Sequence, residues 1–167
     1  MKRRILLTLA ASALLCAGIA VPAGTAVAQS AKDLAGAWVL VSNVTTAPNG
    51  RKTDAFGANP KGSVVFDGSG RYVLLNTRTG LPKFSSGDRL TGTAGEYRAI
   101  VQGSLGHLGT YTVADKVLTF KIESSTWPGM TGTDLKQTII SLSGDTLHWT
   151  VAGPGTSKGD MVWKRTK

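Results

Sequence analysis

The stretch L-A-G-A-W-V-L-V-S-N, Leu34 to Asn43, decides how the rest of the chain is read. A Gly-x-Trp triplet (Gly36, Ala37, Trp38) opens a run of Val and Leu, residues that suit a pleated, half-buried surface. Glycine lets the chain bend as it enters a strand, and tryptophan brings a large apolar surface to whatever closes around it. Alternation from Trp38 puts Leu40 and Ser42 on the same side. Seven further β-like runs follow, separated by turn-forming residues. Ser63 to Phe66 and Arg71 to Thr77 flank D-G-S-G. Thr110 to Val113 and Val117 to Glu123 flank Ala114-Asp115-Lys116, and Leu135 to Leu142 and Thr146 to Val151 flank S-G-D. Met161 to Arg165 closes the chain.

One segment lacks alternation. In Thr93 to Leu105, Tyr97, Ile100, Val101 and Leu105 recur at helical spacing, and Thr93 and Glu96 occupy the positions of a capping box. This predicts one short amphipathic helix. Two long connections, Thr45 to Gly62 and Gly80 to Gly92, have the length of functional rims or lids. Eight antiparallel strands joined by hairpins predict an all-β, up-and-down barrel. Closure removes exposed sheet edges, and eight strands enclose an interior just wide enough for one small ligand. A β-sandwich with a filled core is the alternative.

Upstream of the barrel the chain reads as a leader. Lys2, Arg3 and Arg4 precede the uncharged apolar run Ile5 to Val21, and Pro22, Gly24 and Ala26-Val27-Ala28 follow. That order is a secretory signal peptide over residues 1–28, cleaved after Ala28; the competing reading is a retained anchor. Cys16 lies within the apolar run behind Leu14 and Leu15, without the small residue that a lipid-modification signal places before its cysteine. It is the chain's one cysteine, so residues 29–167 form a single domain with no disulfide, no thiolate metal site and no Cys nucleophile. The expected location is periplasmic or secreted, with no membrane span left after cleavage.

Lys and Arg number 19 against 10 Asp and Glu, a formal net charge of +9. The basic residues are scattered and not interleaved with an aromatic ladder, so nothing supports a nucleic-acid partner. Solubility, or attraction to an anionic envelope or ligand, accounts for the charge.

The Gly-x-Trp opening resembles the signature of lipocalin and calycin barrels, in which a basic residue of the last strand packs on the Trp and closes the barrel base. The C-terminal M-V-W-K-R-T-K offers Lys164 and Arg165 for that role, with Gly36, Trp38 and Arg165 as the closing set. More of the chain resembles the bacterial and fungal lipocalin-like domain family. The matching pieces are L-A-G-A-W-V-L-V-S (34–42), F-G-A-N-P-K-G (56–62), D-G-S-G-R-Y (67–72), G-E-Y-R-A (95–99), L-G-T-Y-T-V (108–113), S-T-W-P-G-M-T-G-T-D (125–134) and V-W-K-R (162–165). They stand in the family's order and cover nearly all of the chain after the leader. The resemblance implies a lipocalin-like barrel. One departure matters: the family often carries His in the strand matching Leu118 to Glu123, where this chain reads L-T-F-K-I-E, so a role resting on that His does not transfer.

Catalytic chemistry is sparse. The two histidines are His107, between helix and strand, and His148, which faces outward if Leu147 and Trp149 face in. No paired-His metal motif exists, and a haem barrel would have only His107 as its proximal donor. There is no P-loop or dinucleotide fingerprint. Asp54, Asp88, Glu96 and Asp134 fall in loops, caps or turns. No cofactor and no catalytic residue is assigned.

Inward positions chosen by alternation and apolar content are Leu40, Ser42, Tyr72, Leu74, Asn76, Tyr111, Phe120, Ile122 and Trp149, together with Val113, Leu118, Leu147 and Val151. Mostly apolar with a few hydrogen-bonding groups, this set suits a small hydrophobic or amphipathic molecule; the same side chains could instead fill the barrel. Trp127, before Pro128, is a candidate for the rim, and equally for a partner contact at a loop tip. The expected function is non-catalytic binding of such a molecule in the barrel. An isomerase or cyclase using the same cavity, and a structural envelope protein with a filled barrel, are the alternatives.

Overall fold

The structure, a computed structural model, describes residues 30–153 and 155–167. The leader and its cleavage site lie outside the described residues.

A four-residue helix, α1 (Ala31–Leu34), leads into β1 (Gly36–Thr46), followed by a short β2 (Lys52–Asp54), β3 (Lys61–Phe66) and β4 (Arg71–Thr77). Helix α2 (Ala94–Gln102) precedes β5 (Ser104–Ala114) and β6 (Val117–Ser125). A single 3-10 turn at Pro128–Met130 separates these from β7 (Asp134–Ser143), β8 (Thr146–Ala152) and β9 (Lys158–Arg165). Every pairing is antiparallel; β1 pairs with both β2 and β3, and from β3 to β9 each strand neighbours the next in sequence. The sheet closes where β1 pairs with β9, Trp38 opposite Arg165 through Thr46 opposite Lys158. Eight strands make the barrel, and β2 hangs on the far end of β1 as an extra. The expected eight-stranded up-and-down barrel is therefore present, with α2 its one helix of more than four residues among those described.

Helix α2 starts where the capping box puts it. The Thr93 hydroxyl accepts from the Glu96 amide at 3.2 Å, and the Glu96 carboxylate takes the Thr93 amide at 2.7 Å. It stops at Gln102, three residues short of the expected end, because Ser104 and Leu105 already belong to β5.

Three strands carry an extra residue that interrupts the pairing register. A bulge in β1 between Leu40 and Ser42 shifts the register against β9. An extra residue reverses which side chains face in: Trp38 and Leu40 point inward before the bulge, and Asn43 is the buried residue after it. Ser42, expected inward, is only partly buried. The second irregularity lies in β6, where Ser124 and Ile122 face the consecutive Leu108 and Gly109 of β5 and Glu123 is the extra residue, and the third in β7, where Ile139 and Ser141 face the consecutive Trp149 and His148 of β8. A Cβ at Gly109 would stand 2.0 Å from the Lys121 carbonyl oxygen, so only glycine lets β5 and β6 approach there.

The core is one cluster enclosed by the barrel, with Trp38, Trp149, Trp163, Phe66 and Phe120 among its fully buried side chains. The connectors β3–β4, β5–β6 and β7–β8 lie at the same end as the start of β1 and the end of β9, the closed end. Those joining β1 to β3, β4 to β5, β6 to β7 and β8 to β9 lie at the other end, the mouth.

Candidate functional site at the barrel mouth

The closed end is built around Trp38. Its ring is fully buried, and its indole N–H donates to the Leu34 carbonyl at 2.8 Å. The Arg165 guanidinium carbon lies 4.0 Å from the ring centroid. That guanidinium also donates through Nη1 to the Ala35 carbonyl and through Nη2 to the Asp33 carbonyl, the latter at 2.8 Å. Of the two basic residues considered for this place, Arg165 occupies it, while Lys164 is exposed. Gly36 has a φ of +123°, and a Cβ there would meet Arg165 Nη1 at 2.9 Å. Glycine thus serves both the bend and the room the guanidinium needs. The Tyr111 hydroxyl, 3.1 Å from the Ala31 carbonyl and 3.0 Å from that of Asp67, ties α1 to the β3–β4 turn.

Above this base the inward side chains touch one another. Phe66 lies 4.7 Å from Tyr111 between ring centroids, Tyr72 4.4 Å from Phe120, and Trp149 5.1 Å from Trp163. Leu40, Tyr72, Leu74, Asn76, Tyr111, Phe120, Ile122 and Trp149 are all buried. Together these residues form the packed interior.

His107 is the functional type that alternation misplaced. It lies within β5 and is buried, with Nδ1 2.9 Å from the Tyr72 hydroxyl. Burial lowers its pKa from 6.5 to about 4, so the ring is neutral and shares a hydrogen bond with the phenol. Burial, with the Glu123 charge adding to it, pushes the Tyr72 phenol well above its usual range. His148 is on the outer wall, as alternation requires, with Nε2 3.2 Å from Asp160 Oδ1. Among the described residues no group of three or more His, Cys, Asp or Glu is placed to hold a metal ion. Among the described residues, the buried polar atoms Asn76 Oδ1, Gln137 Oε1 and Trp163 Nε1 have no hydrogen-bond partner.

One open space is at the mouth. A pocket of about 570 Å³ is lined by Ala55 and Phe56 from the β1–β3 connector, Ile100 to Gln102 from α2, Ser104 and Leu105 from β5, and Thr126 to Pro128 beyond β6. None of the inward residues expected to hold a ligand lines it. Trp127, a candidate for the rim, does. Its indole lies over Gly129, where a Cβ would come within 3.2 Å of Nε1, so the ring is braced although 62% exposed. Phe56 is buried, and the Ala55 amide donates to the Asn43 carbonyl at 2.9 Å, holding that connector down against β1. Among the lining residues none is charged; Gln102, Ser104 and Thr126 supply the polar groups. The volume and the apolar lining with a few polar groups are those of a small-molecule site.

The profile of the lipocalin-like domain family matches residues 35–165. A solved structure described as a redesigned β-barrel is similar at 14% identity and a TM-score of 0.43, over 83% of this chain and 96% of that one. No curated protein matches.

Proposed function

We propose, for a chain that belongs to the lipocalin-like domain family, that it is an exported, non-catalytic binder of a small hydrophobic or amphipathic molecule held at the barrel mouth. The observation that carries this reading is the uncharged, largely apolar pocket of about 570 Å³ between α2, Phe56 and Trp127. Each ~100 Å² of apolar ligand surface withdrawn from water there contributes about 2.5 kcal/mol before the cost of association. With no charged side chain in the lining, an ionised ligand group would lose hydration without compensation, so the inserted portion is uncharged. Gln102, Ser104 and Thr126 orient it. Tyr72 and His107 are the titratable pair an enzyme would call on, and neither lines the pocket; for that reason binding is preferred to catalysis.

The test is native mass spectrometry of the protein purified from the envelope of the cell that makes it, followed by solvent extraction of whatever accompanies it. A co-purifying uncharged small molecule, lost when Ala55→Trp fills the pocket, is the expected result. No bound species in the native protein, and no uptake of an apolar fluorescent probe, would reject the reading. The intact mass from the same experiment shows whether the chain begins after Ala28.

A further inference from the structure

Among the described residues, the three most exposed large apolar side chains are Leu90 at 76%, Val101 at 72% and Trp127 at 62%. They belong to segments at the mouth end of the barrel. Val101 and Trp127 line the same pocket. Tyr97, one helical turn before Val101, donates through its hydroxyl to the Arg89 carbonyl at 3.0 Å and accepts from the Gly92 amide at 2.9 Å. Its ring lies 5.5 Å from Phe84. The β4–β5 connector carrying Leu90 is thereby fixed to α2.

Charge is distributed unevenly between the two ends. The connectors at the mouth carry Arg51, Lys52, Arg78, Lys83, Arg89 and Arg98 against three acids, Asp54, Asp88 and Glu96. The closed-end turns and terminal segments that flank the strands carry Lys32, Lys116 and Lys167 against Asp33, Asp67, Asp115 and Asp145. Glu96 is further engaged by the Thr93 and Ser85 amides, which hold its pKa near 2. Arg89 adjoins Leu90 in sequence, Arg98 adjoins Tyr97 and Lys83 adjoins Phe84, so cations and apolar residues come from the same segments. The other exposed apolar stripe, Val39, Val65, Val73, Leu75 and Leu108 on the outer wall, consists of less exposed side chains and is bordered by the neutralising Arg71–Glu123 pair.

Apolar tips that include a tryptophan, ringed by cations, match the interface of a lipid bilayer bearing anionic headgroups, where indole sits at headgroup depth and each basic residue adds attraction. A second copy of this chain would bring positive charge against positive charge. We propose that the mouth rim, with Leu90, Tyr97, Val101 and Trp127 as its apolar tips and Lys83, Arg89 and Arg98 as its cations, docks the protein on an anionic membrane surface. Docking there turns the pocket toward the bilayer, yet the proposal does not depend on the pocket being occupied.

Tryptophan emission reads this directly, because Trp38, Trp149 and Trp163 are fully buried and Trp127 alone among the four is exposed. The chain as isolated from its own cells is titrated with phosphatidylglycerol–phosphatidylethanolamine vesicles and, separately, with phosphatidylcholine vesicles. The expected result is a blue shift with the anionic vesicles, at least about tenfold weaker binding to the neutral ones, and a loss of about tenfold or more in Arg89→Glu/Arg98→Glu. The shift disappears in Trp127→Ala. Far-ultraviolet circular dichroism checks that both variants stay folded. An unchanged Trp127 emission with every vesicle would overturn the proposal. So would unaltered anionic binding by the charge-reversed variant, which would assign the attraction to another part of the chain. A shift that grows with protein concentration in the absence of lipid would overturn it in favour of a second copy as the occupant.

Discussion

Two tryptophans at opposite ends of one barrel are solvated in opposite ways. Trp38 at the closed end has no exposed surface, its N–H satisfied by Leu34 and its ring covered by Arg165. Trp127 at the mouth lies over Gly129 and is left 62% in solvent. The strands impose the first arrangement, since inward alternation and sheet closure leave Trp38 nowhere else to go. The second is made by connectors, which carry no alternation and are free to hold an aromatic ring outward. In this molecule the base of the barrel is where aromatic area serves stability, and the rim is where it is available to something else.

That contrast is broken most forcefully at Trp38. Trp38→Ala should lower unfolding free energy by about 3–5 kcal/mol, the range for truncating a fully buried large aromatic, measured by denaturant titration. A loss below about 1 kcal/mol would mean that the base does not depend on its plug. Next in size is the effect of pH through His107. Its folded-state pKa of about 4 lies below the ordinary 6.5, so between those values the unfolded chain takes up a proton that the folded chain refuses. Stability is therefore full above pH 6.5, falls as pH drops toward 4 and gains no further loss from this group below that, for a total of up to about 3 kcal/mol. His107→Gln should flatten the stability profile between pH 6.5 and 5, before most carboxylates titrate; a profile with the same slope in the variant would place the pH dependence elsewhere. Smallest is Trp127→Ala, which should change stability by less than about 0.5 kcal/mol while affecting ligand retention or vesicle binding. A Trp127 loss approaching that of Trp38 would erase the distinction between base and rim.

Most of the scaffold was readable because it rests on local chemistry. Gly36 and Trp38 mark the entry to β1, D-G-S-G and S-G-D mark hairpins, and Thr93 with Glu96 marks the start of α2 in both sequence and structure. The misplacements have physical causes. Ser42 and Asn43 exchange faces because a bulge adds one residue to β1, and no residue type announces it. His107 reads as a linker because Gly106 and Gly109 interrupt the apolar pattern of β5; the signal that could have found it is that a glycine at a close strand crossing is compatible with a continuing strand. The mouth pocket draws on four separate segments, and its members share neither a period nor a motif. Trp127-Pro128 was the one hint: an aromatic residue fixed in a short turn is costly to expose without a use.

The contact between Arg165 and the Asp33 carbonyl spans 132 residues of sequence, and the β1–β9 seam it belongs to has a kinetic consequence. Hairpins between successive strands can form early, since each closes a short loop. The seam must bring the first and last strands together across nearly the whole chain, against the largest loop-closure entropy in the molecule. Until it forms, β1 and β9 each present an unpaired edge able to recruit strands from other copies. The window for misassembly therefore stays open until the final residues of β9 are available, and a chain ending a few residues early would keep its hairpins while losing the one pairing that turns a sheet into a closed surface.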